Sequence, residues 1–424
     1  MNPDMLLMVA YMCIMGAAIG SFSGLIPGIH INTLAALMLA FHNDLERIVE
    51  YVVPEGYAPM MLACCILSAA VVHSATDFVP SVFFGVPDAD NVLNILPGHR
   101  MLLDGHAMTA VRCAAIGSLV GSFASIALAV PMYVLLDGGF GDYLDSLTVG
   151  VLMSVMCLMI LREQRGGRIA AMGLIAVTGI IGYAVMSLDL PFENMFGMEP
   201  ESMFPMLSGL FGIPPLLVSI SSGMIPEQTD DERFPVGPLP GLKGVVTGSI
   251  TGWFPGITGA SGATIAGCIF GEEDQRGYIS MVSSIGSSST MFTFITLAVS
   301  GKERSGTMDV INGILGGESI ELGSDLFLCM MVVMAISSVL AYAVMTCSGS
   351  LMCRLVEKTD IRMVNTAILL MMIVLTVALT GYCGLIVLCI CTLVGMVPMV
   401  LGTNRIHLTG CLIVPVLISR IGLM

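Results

Sequence analysis

Apolar blocks that are nearly free of charge alternate with short polar loops along the whole chain. These blocks include 107–135, 168–188, 278–300, 325–347, 365–379, 381–401 and 408–424. Most of them reach about 20 residues, the length of an α-helix that crosses a bilayer. Their apolar residues fill each block instead of marking one helical face. The pattern predicts an all-α polytopic membrane protein with roughly ten to twelve hydrophobic segments.

The composition supports this fold class and excludes several functions. Of the 424 residues, 56% are hydrophobic and 11% are charged, whereas soluble domains carry about 25% charged residues. The net charge of −15 lies almost wholly in loops, which argues against binding to nucleic acid and against docking on anionic lipid. The thirteen cysteines include no CxxC pair and no Cys/His metal spacing, so we expect no metal and no cofactor. We expect a multi-pass protein of the cytoplasmic membrane.

One motif occurs twice, 228 positions apart. Gly20–Ile29 reads GSFSGLIPGI and Gly248–Ile257 reads GSITGWFPGI, with six of the ten positions identical. In each copy a Pro-Gly pair interrupts an apolar segment. Broken helices at matching places in two halves of a membrane transporter point to the substrate site. We therefore expect the two copies to form one composite site near the middle of the membrane.

The basic loops predict how the two halves are oriented. We place two of them on the cytoplasmic side; their residues are Arg162, Arg165, Arg168, Arg354, Lys358 and Arg362. With these placements, the segment 110–130 and its counterpart 326–346 run in opposite directions. The sequence thus predicts two inverted repeats. Their boundaries are 1–225 and 243–424, with a polar, Pro-rich linker at 226–242.

The residues after each Pro-Gly pair are the candidates for substrate binding. Ile31 to Phe41 is long enough for a half-helix of only about 15 Å, and a helix N-terminus inside the membrane binds anions. The candidates are Pro27, Gly28, His30, Asn32 and Thr33 in the first copy, and Pro255, Gly256, Thr258 and Ser261 in the second. The alternative is a simple bend in which these polar residues cap the next helix.

A polar island follows each copy of the motif. In the first half it contains His73 and Asp77, and a carboxylate at membrane depth is costly and usually functional. In the second half, 283–290 contains six hydroxyl residues, among them Ser287, Ser288 and Ser289. We assign these five residues to the coupling ion, Na⁺ or H⁺. The alternative is that small polar residues only allow close helix packing.

Four stretches of the chain resemble the TctA family, the large membrane subunit of tripartite tricarboxylate transporters. They are Gly20–Thr33, Ser81–Ala107, Arg112–Gly121 and Gly248–Ala263. The resemblance implies secondary active transport of a small carboxylate, driven by an ion gradient. It also implies two partners, an extracytoplasmic binding protein and a small membrane subunit, and it adds Gly85 and Pro87 to the substrate-facing residues. The chain departs from the family at Leu297–Gly301, which lacks the expected proline.

Two other functions remain open at this stage. Pro255–Ser261 is similar to an element of the polyprenyl-phosphate translocases, whose ligand is an anion on a lipid. An intramembrane hydrolase would instead use His73 and Asp77 as acid and base. We expect a permease for a small anionic substrate, a di- or tricarboxylate, and no enzymatic activity.

Overall fold

The structure is a computed structural model of the full chain, and its described part is helical. The described residues are 3–26, 31–54, 56–84, 95–195, 200, 202–219, 226–230, 232–255, 257, 259–271, 274–356, 358 and 360–422. No strand occurs among them. The predicted all-α fold class is confirmed.

Eleven helices lie before the linker in the described residues and seven after it. The first group is α1 (Pro3–Leu25), α2 (Ile31–Ala40), α3 (His42–Glu50), α4 (Ala58–Thr76), α5 (Phe78–Phe84), α6 (Ile95–Leu103), α7 (Ala107–Leu135), α8 (Gly141–Arg162), α9 (Arg168–Ser187), α10 (Met203–Leu207) and α11 (Ile213–Ser219). The second is α12 (Pro238–Trp253), α13 (Gly259–Phe270), α14 (Gln275–Ser300), α15 (Gly306–Ile314), α16 (Asp325–Val356), α17 (Ile361–Leu401) and α18 (Gly410–Ile421). π turns at Leu136–Phe140 and Ser208–Gly212 and a 3₁₀ turn at Arg405–Thr409 join some of them.

Seven helical stretches of the described chain are long and apolar enough to cross a membrane. They are Asp4–Leu25, Ala58–Phe84, Ala107–Arg162, Arg168–Ser187, Gln275–Ser300, Asp325–Val356 and Asn365–Leu401. The third contains both α7 and α8, and the last bends sharply at Gly381. In the apolar 18-residue part of each stretch, 83% is buried inside the protein for Ala58–Phe84 and 28% for Asn365–Leu401. Helix α4 is therefore central and α17 peripheral.

Each broken segment packs in parallel on the long helix that follows it. In the first half, the Ser68 hydroxyl on α4 donates to the Cys13 carbonyl of α1 over 2.8 Å, and His73 lies 2.9 Å from the Ser23 hydroxyl. In the second half, the Ser284 hydroxyl on α14 donates to the Gly241 carbonyl of α12 over 2.6 Å. Small residues permit this close approach of two backbones.

The long helices pack across the two halves. Helix α7 lies along α14, where the Ser118 hydroxyl donates to the Ser283 carbonyl over 3.4 Å. Helix α16 lies along α4, where the Ser337 hydroxyl donates to the Ser68 hydroxyl over 2.8 Å. Because each half supplies one helix to each of these pairs, the two halves pack directly against each other.

Contacts at both ends of α7 and α16 show that these two helices are antiparallel. The Tyr133 ring near the end of α7 lies 5.7 Å from the Phe327 ring at the start of α16. Near the start of α7, Val111 lies against Gly349, late in α16. The segments 110–130 and 326–346 thus run in opposite directions, as an inverted repeat requires. The repeat itself and its boundaries stay predictions.

The linker ties the starts of α7 and α14 together. Arg112 on α7 pairs with Asp230 and donates to the Glu232 carbonyl over 2.6 Å. The Glu232 carboxylate accepts from Arg276 at the start of α14 over 2.5 Å. Arg112 is therefore held by the linker in this conformation. Helix α12 begins at Pro238, so the last residues of the predicted linker are already helical.

Candidate functional site

Part of the predicted site lies outside the described residues. This applies to Pro27, Gly28, His30, Gly85, Pro87, Gly256 and Thr258, and to the side chain of Thr33. The elements on both sides of each Pro-Gly break are described. They fix where the two broken segments lie.

The first broken segment contacts the second half through Asn32. Helix α1 ends at Leu25 and α2 begins at Ile31, so Asn32 stands in the first turn of the half-helix. Its side-chain oxygen accepts from the backbone N–H of Thr307 over 3.0 Å and from the Thr307 hydroxyl over 2.7 Å. Both donors belong to the first turn of α15. The predicted substrate residue Asn32 therefore joins the two halves.

The second broken segment forms a helical hairpin. Helix α12 ends at Trp253 and α13 begins at Gly259. Gly262 on α13 packs against the Thr251 side chain on α12. A methyl group added to Gly262 would lie only 2.8 Å from the Thr251 side chain. Ser261 is buried and Pro255 is half-buried. The described residues at this break therefore lie inside the protein, as non-helical backbone in a membrane must.

A short basic segment that runs from the end of α14 into the first turn of α15 contacts both broken segments. Helix α14 ends at Ser300, and the following Gly301, with a φ of 63°, stops the helix. The next helix begins after Ser305, whose hydroxyl caps the Met308 N–H. We call residues 302–307 the connecting segment. Within it, the Arg304 guanidinium lies 5.8 Å from the centre of the Trp253 ring, while Thr307 binds Asn32. This segment joins the two copies of the motif.

Arg304 is the most buried charge of the connecting segment. Its side chain is 5% exposed and donates to Asp145 on α8 over 2.7 Å. Lys302 pairs with the other oxygen of Asp145. Burial, and then the positive charge of Arg420, lower the pKa of Arg304 to about 10. The guanidinium still carries its charge at neutral pH.

The two polar islands approach each other where α4 crosses α14. A methyl group on Gly286 would lie 3.8 Å from the Ser74 carbonyl oxygen. His73 and Asp77 are both buried at the end of α4, and the Ser23 hydroxyl of the first motif contacts His73. The predicted coupling residues of the first half thus lie beside the first broken segment.

The three serines of the second island have different surroundings. Ser287 is buried and Ser289 is half-buried. The Ser288 hydroxyl donates to the Ser284 carbonyl over 2.6 Å within its own helix and faces Gly248 of α12. Ser288 therefore takes part in helix packing. The assignment of all three to a coupling ion stays a prediction.

A cavity of about 450 Å³ lies beside the half-helix α13. It is lined by Met159, Arg162, Glu163, Gln164, Ala263, Thr264, Gly267, Gly271, Tyr278, Met281, Asn404 and Ile406. At its edge, the Glu163 carboxylate lies 2.9 Å from His407 and accepts from the Asn404 N–H over 2.9 Å. Burial alone raises the pKa of Glu163, but these contacts outweigh it and the pKa falls below its ordinary value. A charged, hydrogen-bonded group therefore lines one edge of this cavity.

Comparison with known proteins identifies the chain. The model of the Tripartite tricarboxylate transporter TctA family matches residues 10–410. The chain belongs to the TctA family. This agrees with the sequence-based resemblance and makes it a multi-pass protein of a transporter family.

Two relatives are similar to this TctA-family protein over part of its length. Uncharacterized protein MJ1079 of Methanocaldococcus jannaschii is 27% identical over 302 residues, which cover 70% of this chain and 71% of the relative. Uncharacterized 52.8 kDa protein in TAR-I ttuC' 3'region of Agrobacterium vitis is 23% identical over 266 residues, or 58% of this chain and 49% of the relative. No solved structure matches the chain.

Sequence reasoning missed the connecting segment of this TctA-family protein. Lys302, Arg304 and Asp145 are not among the site residues that the sequence predicts. A signal was present in the sequence, because two basic residues follow an apolar block at the end opposite the basic loops. The positive-inside rule makes basic residues unusual at that end. Such an exception points to a local role for the charge.

Proposed function

We propose that this protein is a secondary active permease for a small di- or tricarboxylate, working by alternating access in the cytoplasmic membrane. The observation that carries the proposal is the connecting segment, which contacts both broken segments at once. Arg304 lies against Trp253 of the second copy, and Thr307 binds Asn32 of the first. Membership of the TctA family supports the transporter class.

The arrangement suits the binding of an anion inside the membrane. The half-helices α2 and α13 each begin directly after a Pro-Gly break, where free N–H groups and the positive helix end favour a negative ligand. A movement of one half against the other would then expose this region to each side in turn. His73 and Asp77 would take the coupling ion, H⁺ or Na⁺, because they lie beside the first broken segment.

The two partners implied by the family belong to this proposal. An extracytoplasmic binding protein would deliver the substrate, and a small membrane subunit would complete the complex. Uptake is therefore best measured both with the permease alone and after co-reconstitution with those subunits.

Uptake of radiolabelled citrate and succinate into proteoliposomes tests the proposal. We expect uptake that depends on an imposed H⁺ or Na⁺ gradient. Asn32→Leu removes the acceptor of two Thr307 hydrogen bonds and should reduce uptake at least tenfold, since losing both costs on the order of 2 kcal/mol. The exposed Asn43→Leu on α3 is the matched control and should transport normally.

Two results would contradict the proposal. Normal uptake by Asn32→Leu, in protein that inserts and purifies like the wild type, would show that the substrate site does not include the first broken segment. Tight binding of a polyprenyl phosphate, with neither binding nor uptake of any carboxylate, would favour the lipid-carrier translocase instead.

A further inference from the structure

Two buried N–H donors lie unused beside the second broken segment. The Arg304 Nε and the Trp253 indole nitrogen have no hydrogen-bond partner among the described residues. The Arg304 side chain is 5% exposed and Trp253 is 4% exposed. Leaving a buried donor unsatisfied costs about 1–3 kcal/mol, and more for a charged group. Two such donors in one contact indicate that a further group belongs there.

Among the described residues, two cations beside these donors pair with one carboxylate. Lys302 and Arg304 share the single carboxylate of Asp145, and Arg420 adds a further positive charge close enough to act on Arg304. Glu303 is turned to Asn312, whose amide donates to it over 2.6 Å. The excess of positive charge therefore favours an anionic ligand.

The position of the cluster fits a ligand that enters from outside the cell. Arg112 and Arg276, at the starts of α7 and α14, are held by acidic linker residues at the predicted cytoplasmic end. Arg304 follows the other end of α14 and pairs with the start of α8. On the predicted topology, this is the extracytoplasmic side. The ligand would come from there.

We propose that Arg304 and Trp253 bind a carboxylate group of a small di- or tricarboxylate at the extracytoplasmic mouth of the second broken segment. The inference deepens the proposed function and rests on it for the side of entry and the ligand class. Arg304 offers a planar set of donors that matches a carboxylate, and the indole nitrogen can only donate.

The second charge of the ligand has a nearby partner. The Lys302 side chain is 42% exposed, and its partner Asp145 keeps Arg304 as a second cation, so the Lys302 ammonium group can turn to a second carboxylate. Arg304 and Trp253 are closed to solvent in this conformation. Ligand entry therefore needs the opening movement of alternating access.

The chain carries its own reporter for this site. Trp253 is the single tryptophan of the sequence, so its fluorescence comes from the site alone. The purified full-length protein is titrated with citrate, with succinate, with inorganic phosphate and with the uncharged trimethyl ester of citrate. We expect a saturable change with citrate or succinate and none with the ester. An equal response to the ester, or a response to phosphate alone, would overturn the carboxylate assignment.

Variants of Arg304 test its role directly. Arg304→Gln should weaken carboxylate binding about 10- to 100-fold, the range expected for a charged hydrogen bond. Arg304→Lys keeps the charge but loses the planar donors, and should fall between Gln and wild type. Arg47→Gln, an exposed arginine on α3, is the matched control and should bind like wild type. Unchanged affinity in both Arg304 variants would overturn the proposal.

The binding measurement also separates this inference from the proposed function. Saturable quenching by citrate that Arg304→Gln weakens, in a protein without any uptake, would support the binding site and contradict transport. Carboxylate uptake that persists unchanged in Arg304→Gln would support transport and contradict the binding site. If Arg304→Gln fails to fold, the comparison of citrate with its ester in wild-type protein still decides.

Discussion

Single glycines decide how closely the helices of the two halves approach. Gly117 on α7 faces the backbone of α14 so closely that a methyl group would overlap the Ser280 carbonyl oxygen. A backbone atom inside a long helix cannot move aside alone, so the helices must separate. A methyl group added to Gly150 on α8 would have no atom within 4 Å. A glycine-to-alanine substitution therefore meets a crowded environment at Gly117 and an open one at Gly150.

Gly117→Ala should destabilise the protein, although alanine is the better helix former. Overpacking costs typically 1–3 kcal/mol, which exceeds the gain of up to about 1 kcal/mol in helix propensity. The control Gly150→Ala should leave stability unchanged or raise it. Thermal unfolding in detergent, followed by circular dichroism, measures both. A midpoint for Gly117→Ala at or above wild type would show that α7 and α14 do not pack as described.

At the scale of elements, a loop contact fastens the end of α8 to the 3₁₀ turn before α18. Glu163 accepts from the Asn404 N–H and lies 2.9 Å from His407. The pKa of Glu163 is lowered in the folded protein, so the carboxylate form stabilises the fold. That contribution is complete above the unfolded pKa of roughly 4.3 and is lost as the pH falls through the lower folded value.

Glu163→Gln should therefore remove part of the acid sensitivity of the protein. We expect the variant to be less stable than wild type at pH 7 and the difference to shrink as the pH is lowered below about 4. Thermal midpoints between pH 7 and pH 3.5 measure this. Glu318→Gln, in the exposed turn after α15, serves as the control. A constant difference across this range would mean that the Glu163 charge is not what fastens the two elements.

The elements at the two breaks show which features of the fold can be predicted from the sequence and which cannot. The repeated Pro-Gly placed both breaks correctly, with helices ending at Leu25 and Trp253, because helix-breaking chemistry is local. The partner of Asn32 was out of reach, since Thr307 lies 275 positions away. Ser288 could not be separated from its neighbours, because hydroxyl residues that pack and those that bind look alike in one sequence.

At the scale of the whole molecule, helix directions follow from contacts between the halves. Ser68 contacts Ser337, and Cys64 lies near Cys329, so α4 and α16 run the same way. Helix α7 runs against α16 and along α14. Since each broken segment is parallel to the long helix after it, the two breaks point toward opposite sides. This geometry is what a predicted inverted repeat needs to place one site between two gates.

Two glycines in exposed turns test the predicted topology of the whole chain. Gly138 lies in the turn between α7 and α8, and Gly166 lies between α8 and α9. A side chain at either position meets no atom within 4 Å, so Gly138→Cys and Gly166→Cys should both fold. The basic loop near Gly166 is predicted to be cytoplasmic, and α8 separates it from Gly138.

A membrane-impermeant maleimide should therefore label Gly138→Cys in intact cells and Gly166→Cys only after lysis. Wild-type protein, with its own thirteen cysteines, gives the background that is subtracted. Labelling in the reverse order would mean that the chain has the opposite orientation in the membrane, with Arg304 and Trp253 on the cytoplasmic side. Equal labelling of both in intact cells would mean that α8 does not cross the membrane. In either case, a ligand could not reach the connecting segment from outside by the route proposed, so this experiment constrains the transport direction as well as the fold.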